Sequence, residues 1–250
     1  MGGPKERGEI AMSGPVLIQG AMEVETDWLV SRLEHPEAFS WGGFQFWRGD
    51  FQGLDLTVSR TGIGTIYAAG ATAVGIEKFH PRVVINQGIA GSHCESLHVG
   101  DIVVGESCIH IHNLKTPPRG RGEGYDASEW EFHDPYDGAE PLVYASDPVW
   151  LARFEAAAYA GGGKASGRLG GGDIFNREHD RILWLREHAG ERCEDMESIA
   201  SYQLCHRFGT PCIGLRIISN NELTGEPYQR EVGVRLQSFI LDALTSEKVL

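Results

Sequence analysis

Residues 15–25 read PVLIQGAMEVE, a short apolar run that passes directly into a charged segment. An apolar run of this length that ends in small residues is typical of a strand buried on both faces of a sheet. The next segment, residues 23–33, carries Trp28, Leu29 and Leu33 at helical spacing. The pattern therefore predicts a buried strand followed by an amphipathic helix, the first unit of an α/β protein.

The same alternation continues to the end of the chain. Gln52-Gly53 joins two strand patterns at residues 44–51 and 54–60, which predicts a hairpin. Further strands are predicted at residues 82–87, 101–112 and 211–219, and further helices at residues 65–79, 148–158, 177–188, 196–208 and 232–244. No repeat or linker interrupts the order. We expect a single-domain α/β fold over residues 15–250, with a mixed, largely parallel sheet flanked by helices, after a flexible tail at residues 1–14.

Residues 113–145 break this regularity and gather Pro, Gly, Arg and aromatic side chains. A stretch this long without periodicity is unusual inside a compact domain. We expect a functional or interface loop, in which Trp130, Phe132 and Tyr136 contact either a partner chain or their own domain.

The composition excludes several classes of function. The chain has 250 residues, of which 41% are hydrophobic and 23% charged, as in an ordinary globular protein. No apolar run reaches the ~18–20 residues that span a bilayer, and the N-terminus lacks the apolar core of a signal peptide. The net charge of −13 argues against a nucleic-acid partner, which needs clustered Lys and Arg. We therefore expect a cytoplasmic protein that binds neither membrane nor nucleic acid.

The cysteines favour neither a disulfide framework nor a metal site. There are five of them, an odd number without a CxxC pair, which is typical of buried thiols. Cys108, His110 and His112 would share one strand face, but they lack a second pair of ligands. No metal is expected.

Chemically useful residues follow the predicted strands. In open α/β sheets ligands bind at the carboxyl ends of strands. Two carboxylates, a glycine loop, an aromatic ring and an amide occur at such ends, in the segments 23–25, 88–91, 172–175, 196–197 and 219–220. Cleavage of a purine from ribose needs this set: a base for water, a carboxylate beside the developing positive charge, a stacking surface and a donor to N7 of the purine.

Five motifs, in order over residues 16–244, resemble those of the methylthioadenosine/S-adenosylhomocysteine nucleosidases, members of the nucleoside phosphorylase superfamily. They are GAMEVE (20–25), VGDIVV (99–104), GDIF (172–175), EDME (194–197) and RIISN (216–220). The resemblance implies a nucleoside phosphorylase/hydrolase-like fold, a purine nucleoside substrate, no cofactor and a homodimer.

The resemblance also implies a role for each matching residue. Glu25 would be the base for water, with Arg216 beside the attacking water. Met196 would pack under the ribose, and Glu197 would hold the sugar hydroxyls. The purine would be contacted by Ala90, Gly91, Phe175, Ser219 and Asn220. Taken singly, Glu25 and Glu197 also fit helix N-termini, Phe175 fits the core, and Arg216 fits an ordinary ion pair.

Two residues depart from the pattern. Asn220 stands where members that cleave methylthioadenosine carry Asp. An amide can donate a hydrogen bond to N7 but cannot pass it a proton. Depending on its orientation, the amide suits adenine or a 6-oxopurine, as in futalosine hydrolases and trimeric purine nucleoside phosphorylases. Ile89 replaces a small hydroxyl residue that is often found near the attacking water.

The leading hypothesis is hydrolysis of a 5′-modified adenosine. A 6-oxopurine nucleosidase and a purine nucleoside phosphorylase are the alternatives. A phosphorylase needs a cationic phosphate cradle, for which only Arg119 and Arg121 in the long loop are on offer. A binding protein without turnover is a further alternative, against which the two glutamates count. Residues 221–229 are a candidate lid.

Overall fold

A computed structural model describes residues 14–134 and 137–246, and shows helices on both faces of a twisted sheet. The strands of the main sheet are β1 (Val16–Gly20), β2 (Glu34–Trp41), β3 (Phe44–Phe51), β4 (Leu54–Arg60), β5 (Val83–Ser92), β6 (Ile102–His110), β9 (Val143–Ala145), β10 (Lys164–Gly171), β11 (Glu191–Asp195) and β12 (Cys212–Asn220). The short strands β7 (Leu114–Lys115) and β8 (Glu131–Phe132) form a separate pair. The helices are α1 (Glu23–Val30), α2 (Thr65–Phe79), α3 (Pro148–Ala156), α4 (His179–Ala189), α5 (Ser198–Phe208) and α6 (Gly233–Thr245), with single 3₁₀ turns at Ala127–Glu129 and Arg230–Val232.

The main sheet is mixed, as predicted. Its order is β11-β10-β6-β12-β5-β1-β4-β3-β2, with β9 on β6. Parallel pairings run through β4, β1, β5 and β12, and again through β6, β10 and β11. The antiparallel pairings are β12 with β6, β6 with β9, and the two hairpin contacts of β3. In addition, β11 crosses the end of β5, where Glu194 pairs with Gly91. This crossing brings the carboxyl ends of the two parallel groups together.

The opening run of the sequence forms the centre of this sheet. Val16, Leu17 and Ile18 are fully buried between the parallel neighbours β4 and β5. Helices α1 and α6 cover one face through Leu29, Leu236 and Phe239, and α2 and α5 cover the other. Burial on both faces explains why the strand reads as a continuous apolar run.

The predicted hairpin is confirmed to the residue, since its turn has a strong local signal. Gln52 and Gly53 both have positive φ, 52° and 83°. Two left-handed residues in a row form the tight turn whose twist matches the flanking strands.

Six strands were not predicted. The short strands β7, β8 and β9 fall within residues 113–145, which the sequence predicts as a loop, and each of the other three has a physical reason. The strand β2 lies at the sheet edge, is mostly exposed and contains Pro36, so it lacks an apolar pattern. The glycine-rich strand β10 has no side-chain signal, because α5 packs on its backbone. A Cβ on Gly171 would come within 2.6 Å of the Ile199 Cβ. The charged strand β11 carries the polar groups of the site described below.

The long loop packs mostly on its own domain. Phe132 stacks on Trp184 of α4 with ring centroids 5.8 Å apart, and the Arg181 guanidinium lies 5.5 Å from the Trp130 ring. Tyr136, for which the same contacts are predicted, lies outside the described residues. The predicted tail lies outside the described residues apart from Gly14, and the division into residues 1–14 and 15–250 stays a prediction. Among the described residues, no helix is both long and apolar enough to span a bilayer.

Candidate active site

A cleft with a cavity volume of about 140 Å³ opens where the two groups of strand ends meet. Seven of the predicted site residues line it: Glu25, Ala90, Gly91, Phe175, Met196, Glu197 and Ser219. Arg216 and Asn220, the other two, are buried just behind the lining.

Glu25 is held rigidly at the floor of the cleft. Its side chain is only 3% exposed. The Oε2 atom accepts hydrogen bonds from the backbone N–H groups of Ala21 at 2.7 Å and Met22 at 3.0 Å, and Oε1 accepts from that of Ile89 at 3.0 Å. Burial raises the pKa of Glu25, against the opposing effects of these hydrogen bonds and of the Arg216 charge. A fixed carboxylate with a raised pKa suits a general base.

Glu197 faces the same cleft because the helix α5 begins only at the residue after it. The sequence predicts a helix from Met196, but α5 begins at Ser198, and this boundary was wrong. The Asp195 carboxylate accepts hydrogen bonds from the N–H groups of Glu197 at 2.8 Å and Ser198 at 2.6 Å. These two hydrogen bonds fix the turn that precedes α5, from which Met196 and Glu197 face the cleft.

The charge of Glu197 is sensitive to its surroundings. Its Oε1 accepts a hydrogen bond from the Gly64 N–H at 2.9 Å. Burial, followed by repulsion from Asp195 and Glu25, raises the pKa of Glu197 to about 8. Two carboxylates in one cleft therefore compete for ionisation, and positive charge that develops between them would be stabilised.

Arg216 acts on the cleft from behind it. Its guanidinium bonds Asp195 at 2.9 Å, the carbonyl of Asn86 at 3.0 Å and the Asn86 side chain. Burial raises the pKa of Asp195, but the charge and hydrogen bonds of Arg216 outweigh it and lower that pKa. The arginine thus anchors the residue that positions Glu197. Its predicted place beside the attacking water stays a prediction.

The end of the cleft that the sequence assigns to the purine combines an aromatic ring with polar groups. Phe175 is 49% exposed, so it is not a core residue. The Ser219 hydroxyl has the carbonyl of Ala90 at 3.1 Å and Asn220 Oδ1 at 2.9 Å within reach. The Asn220 Nδ2 atom donates to Glu222 Oε1 at 3.4 Å.

Several residues of the lining have no role predicted from the sequence. Ala21, Met22, Ile63, Ile174 and Tyr228 supply mostly apolar surface together with Ile89, and Asp195 and Glu194 supply charge. Both charged residues lie within the EDME motif, so a signal for them was present. Tyr228 lies in the candidate lid, whose start is tied down because Asn221 Nδ2 donates to the carbonyls of Cys94 and Leu97.

Among the described residues that line the cleft there is no Arg or Lys, the side chains that a cationic phosphate cradle needs. Arg119, which the sequence left open as a cradle residue, pairs with Glu129 in the long loop. Within the part of the chain that the structure describes, no group of His, Cys, Asp and Glu is arranged to hold a metal ion.

Gly88→Ala tests how precisely Glu25 must be placed. A Cβ at this position would lie 2.6 Å from Glu25 Oε1, so the carboxylate has to move. Because misplacement by about 1 Å can cost about 10²-fold, we expect a fall in kcat of that size. Steady-state kinetics beside a thermal melt measure it. An unchanged kcat in a folded variant would contradict the placement of Glu25.

Several known proteins are similar to this chain in sequence and in fold. The model of the phosphorylase superfamily matches residues 15–242. A 5′-methylthioadenosine/S-adenosylhomocysteine nucleosidase from Geobacillus kaustophilus is 33% identical over 89% of this chain and 88% of its own. The crystal structure of such a nucleosidase from Neisseria meningitidis, in complex with methylthio-immucillin-A, superposes with a TM-score of 0.78 at 26% identity and covers 92% of this chain and 98% of its own. The futalosine hydrolase of Helicobacter pylori has a TM-score of 0.77 over 93% of this chain and 98% of its own, and at 20% identity it supports the fold alone. The chain belongs to the phosphorylase superfamily, and methylthioadenosine/S-adenosylhomocysteine nucleosidases are among its relatives.

Proposed function

We propose that this protein is a purine nucleosidase that hydrolyses the N-glycosidic bond of a 5′-modified adenosine, with water activated by Glu25. The observation that carries the proposal is the pair of carboxylates, Glu25 and Glu197, in a cleft whose lining has no cation for phosphate. The names of the relatives support the same reaction and the same class of substrate.

In the proposed mechanism each of these groups has a step. As the bond to the purine breaks, the ribosyl carbon becomes positively charged, and Glu197 stabilises that charge while it holds the sugar hydroxyls. Glu25 takes a proton from water, which attacks the same carbon. The purine stacks on Phe175, keeps the electron pair of the broken bond, and leaves as an anion with a hydrogen bond from Asn220 to N7, to be protonated by solvent. Met196 packs under the ribose, and Arg216 keeps Asp195 and therefore Glu197 in place.

Specific observations bear on the alternatives. Asn220 favours a 6-oxopurine as the second candidate base, since an amide cannot protonate N7 of adenine. Phosphorolysis is disfavoured, because Glu25 would repel phosphate and no cation lines the cleft. A binding protein without turnover has no need for two buried carboxylates whose pKa values are both raised.

A panel of adenine and hypoxanthine nucleosides, each with and without a 5′ substituent, tests the proposal. Free base is measured by chromatography, with and without phosphate. We expect release of base at the same rate in both buffers. Release that requires phosphate would assign the protein as a phosphorylase, and no release from any nucleoside would favour a binding protein.

The pH dependence of kcat/KM is expected to follow the two glutamates. This parameter reports ionisations of the free enzyme. Both groups act as carboxylates, and both have a raised pKa, that of Glu197 being about 8. Since a raised pKa keeps an acid protonated to higher pH, kcat/KM should rise with pH up to about 8. A profile that is flat above the ordinary glutamate pKa of 4.5 would contradict these assignments.

The homodimer expected from the sequence belongs to the same proposal. Large apolar side chains are exposed at Ile63, which lines the cleft, and at Ile66 and Tyr67, which follow it closely in the chain, with exposures of 52%, 82% and 59%. A second copy that covers them would also close the site over the 5′ group. Sedimentation of the wild-type protein and of Ile66→Asp checks this. The cytoplasmic location stays a prediction.

A further inference from the structure

Gln87 lies on β5 with its side chain directed at the helix that carries the proposed base. It is only 2% exposed. Its Nε2 atom donates a hydrogen bond to the main-chain carbonyl of Glu25 at 2.7 Å, and so joins the sheet to α1. Gln87 is not among the described residues that line the cleft, and the proposed mechanism gives it no part. This buried amide is therefore a candidate for a role that acts through Glu25.

Residues 87–89 hold Glu25 at two points. Gln87 binds its carbonyl, and the Ile89 N–H donates to its Oε1 atom at 3.0 Å. Gly88 between them leaves the space that the carboxylate fills, since a Cβ there would lie 2.6 Å from Oε1. The strand is paired on both sides, with β1 and β12, and is thus a rigid support. The main chain and the carboxylate of the base are both fixed to one central strand.

The helix that carries the base depends on such contacts. It has only 8 residues, and isolated helices below about 12–15 residues are marginally stable. The other hydrogen bonds to the carboxylate come from the N–H groups of Ala21 and Met22, in the turn that leads into the same helix. A shift of α1 would carry these donors along with the carboxylate. The contacts with β5 therefore set the position of Glu25 relative to the cleft.

Only one half of the Gln87 amide is paired. The carbonyl of Glu25 can only accept, so Nε2 must face it, and this fixes the orientation of the amide. Among the residues that the structure describes, Gln87 Oε1 has no hydrogen-bond partner. A buried acceptor without a partner lowers the stability of the folded chain. Groups that lower stability are typical of functional sites, where placement matters more than packing.

Gln237 offers a direct comparison. It is fully buried on α6 and contacts the same helix. Its Nε2 atom donates to the carbonyls of Val24 at 2.7 Å and Gly233 at 3.2 Å, and its Oε1 atom accepts from the Leu29 N–H at 3.1 Å. Both ends of this amide are paired, and no described residue of α6 lines the cleft. Gln237 therefore has the contacts expected of a structural residue that joins two helices.

We propose that Gln87 is a positioning residue for the general base, which it holds through the carbonyl of Glu25 at the place in the cleft that proton transfer from water requires. Proton transfer needs the base within hydrogen-bond reach of water, about 2.6–3.2 Å between heavy atoms. A shift of about 1 Å exceeds this tolerance and can cost about 10²-fold in rate. The inference rests on the proposed function, since it concerns the base of the same reaction.

The test compares Gln87→Met with the wild-type protein on 5′-methylthioadenosine. Met keeps the length of the Gln side chain but offers no donor to the carbonyl of Glu25. We expect kcat to fall by about tenfold or more and KM to stay near the wild-type value, because the residues that contact the nucleoside are untouched. The melting temperature should be unchanged or higher, because the unpaired acceptor is removed together with the donor.

Gln237→Met is the matched control. It makes the same chemical change at a buried glutamine that also donates to a carbonyl of α1. Because it leaves the Leu29 N–H and the Val24 carbonyl without this partner, the melting temperature should fall by about 5 °C. Its kcat should stay near that of the wild type, since the contacts of Glu25 with β5 remain.

A folded Gln87→Met enzyme with wild-type kcat would overturn the inference. A lower kcat accompanied by a fall in melting temperature as large as that of Gln237→Met would assign Gln87 a structural role and overturn it as well. Gln87→Asn, which withdraws the amide by one methylene, replaces the Met variant if that variant does not fold. The same fall in kcat at wild-type KM is expected of it, and an unchanged kcat would count against the inference. A wild-type protein that cleaves no nucleoside would instead reject the proposed function itself.

Discussion

Replacing Glu25 with Gln is expected to lower kcat by about 10³-fold and to leave the affinity for a nucleoside largely intact. The range for loss of a general base is about 10²–10⁴-fold. Gln keeps the length of the side chain, so the shape of the cleft is preserved, but it cannot take a proton from water. Single-turnover kinetics give the rate of cleavage, and equilibrium binding of an uncleavable nucleoside analogue gives the affinity.

Two features of the structure sharpen this experiment. The Glu25 oxygens accept hydrogen bonds from three backbone N–H groups. In the Gln variant the side-chain NH₂ group would face one of these donors, so we expect some loss of stability. A thermal melt measures that loss. The control is Glu23→Gln in the same helical turn. Glu23 is 65% exposed and paired with Arg60, so its substitution should leave kcat unchanged. A Glu25→Gln enzyme with wild-type turnover would contradict the mechanism.

Glu197→Gln is expected to have the second largest effect, a fall in kcat/KM of about 10²-fold or more. Loss of one preorganised group that stabilises charge in a transition state costs about 10²–10³-fold. The Gln Oε1 can still accept the Gly64 N–H, so the local backbone should hold. What is lost is the negative charge beside the ribosyl carbon.

The pH profile distinguishes this effect from simple misfolding. If Glu197 titrates in the wild type, the variant should lose the rise in kcat/KM that continues towards pH 8. The exposed Glu178, at the start of α4, offers a control substitution to Gln. A Glu197→Gln enzyme with an unaltered profile and unaltered kcat/KM would show that the charge is not used.

Much of the fold follows from local patterns in the sequence. The buried strand at residues 16–20 and the hairpin with Gln52-Gly53 were predicted because each has a strong short-range signal. The start of α3 at Pro148 was also predicted, and Asp147 caps it by accepting hydrogen bonds from the N–H groups of Val149 and Trp150. The edge strand β2 and the glycine-rich strand β10 are held by contacts with segments that are distant in the sequence. Their own residues therefore show no local strand pattern.

Some residues of the site could likewise be predicted from the sequence, and others could not. Residues at strand ends, such as Glu25 and Glu197, could be predicted, since strand ends in α/β folds converge on ligands. The pairing of Glu194 with His93 could not be predicted, because it depends on the crossing of β11 over the end of β5. The position of Arg216 behind the cleft could not be predicted either, because it follows from the hydrogen bond between Arg216 and Asp195.

The central claim is that water, activated by Glu25, attacks the sugar. A single turnover in heavy-oxygen water that contains phosphate, quenched before the anomeric oxygen can exchange, tests it most directly. Mass spectrometry of the sugar product should show one heavy oxygen at the anomeric carbon and no sugar phosphate. An unlabelled sugar 1-phosphate would contradict the account.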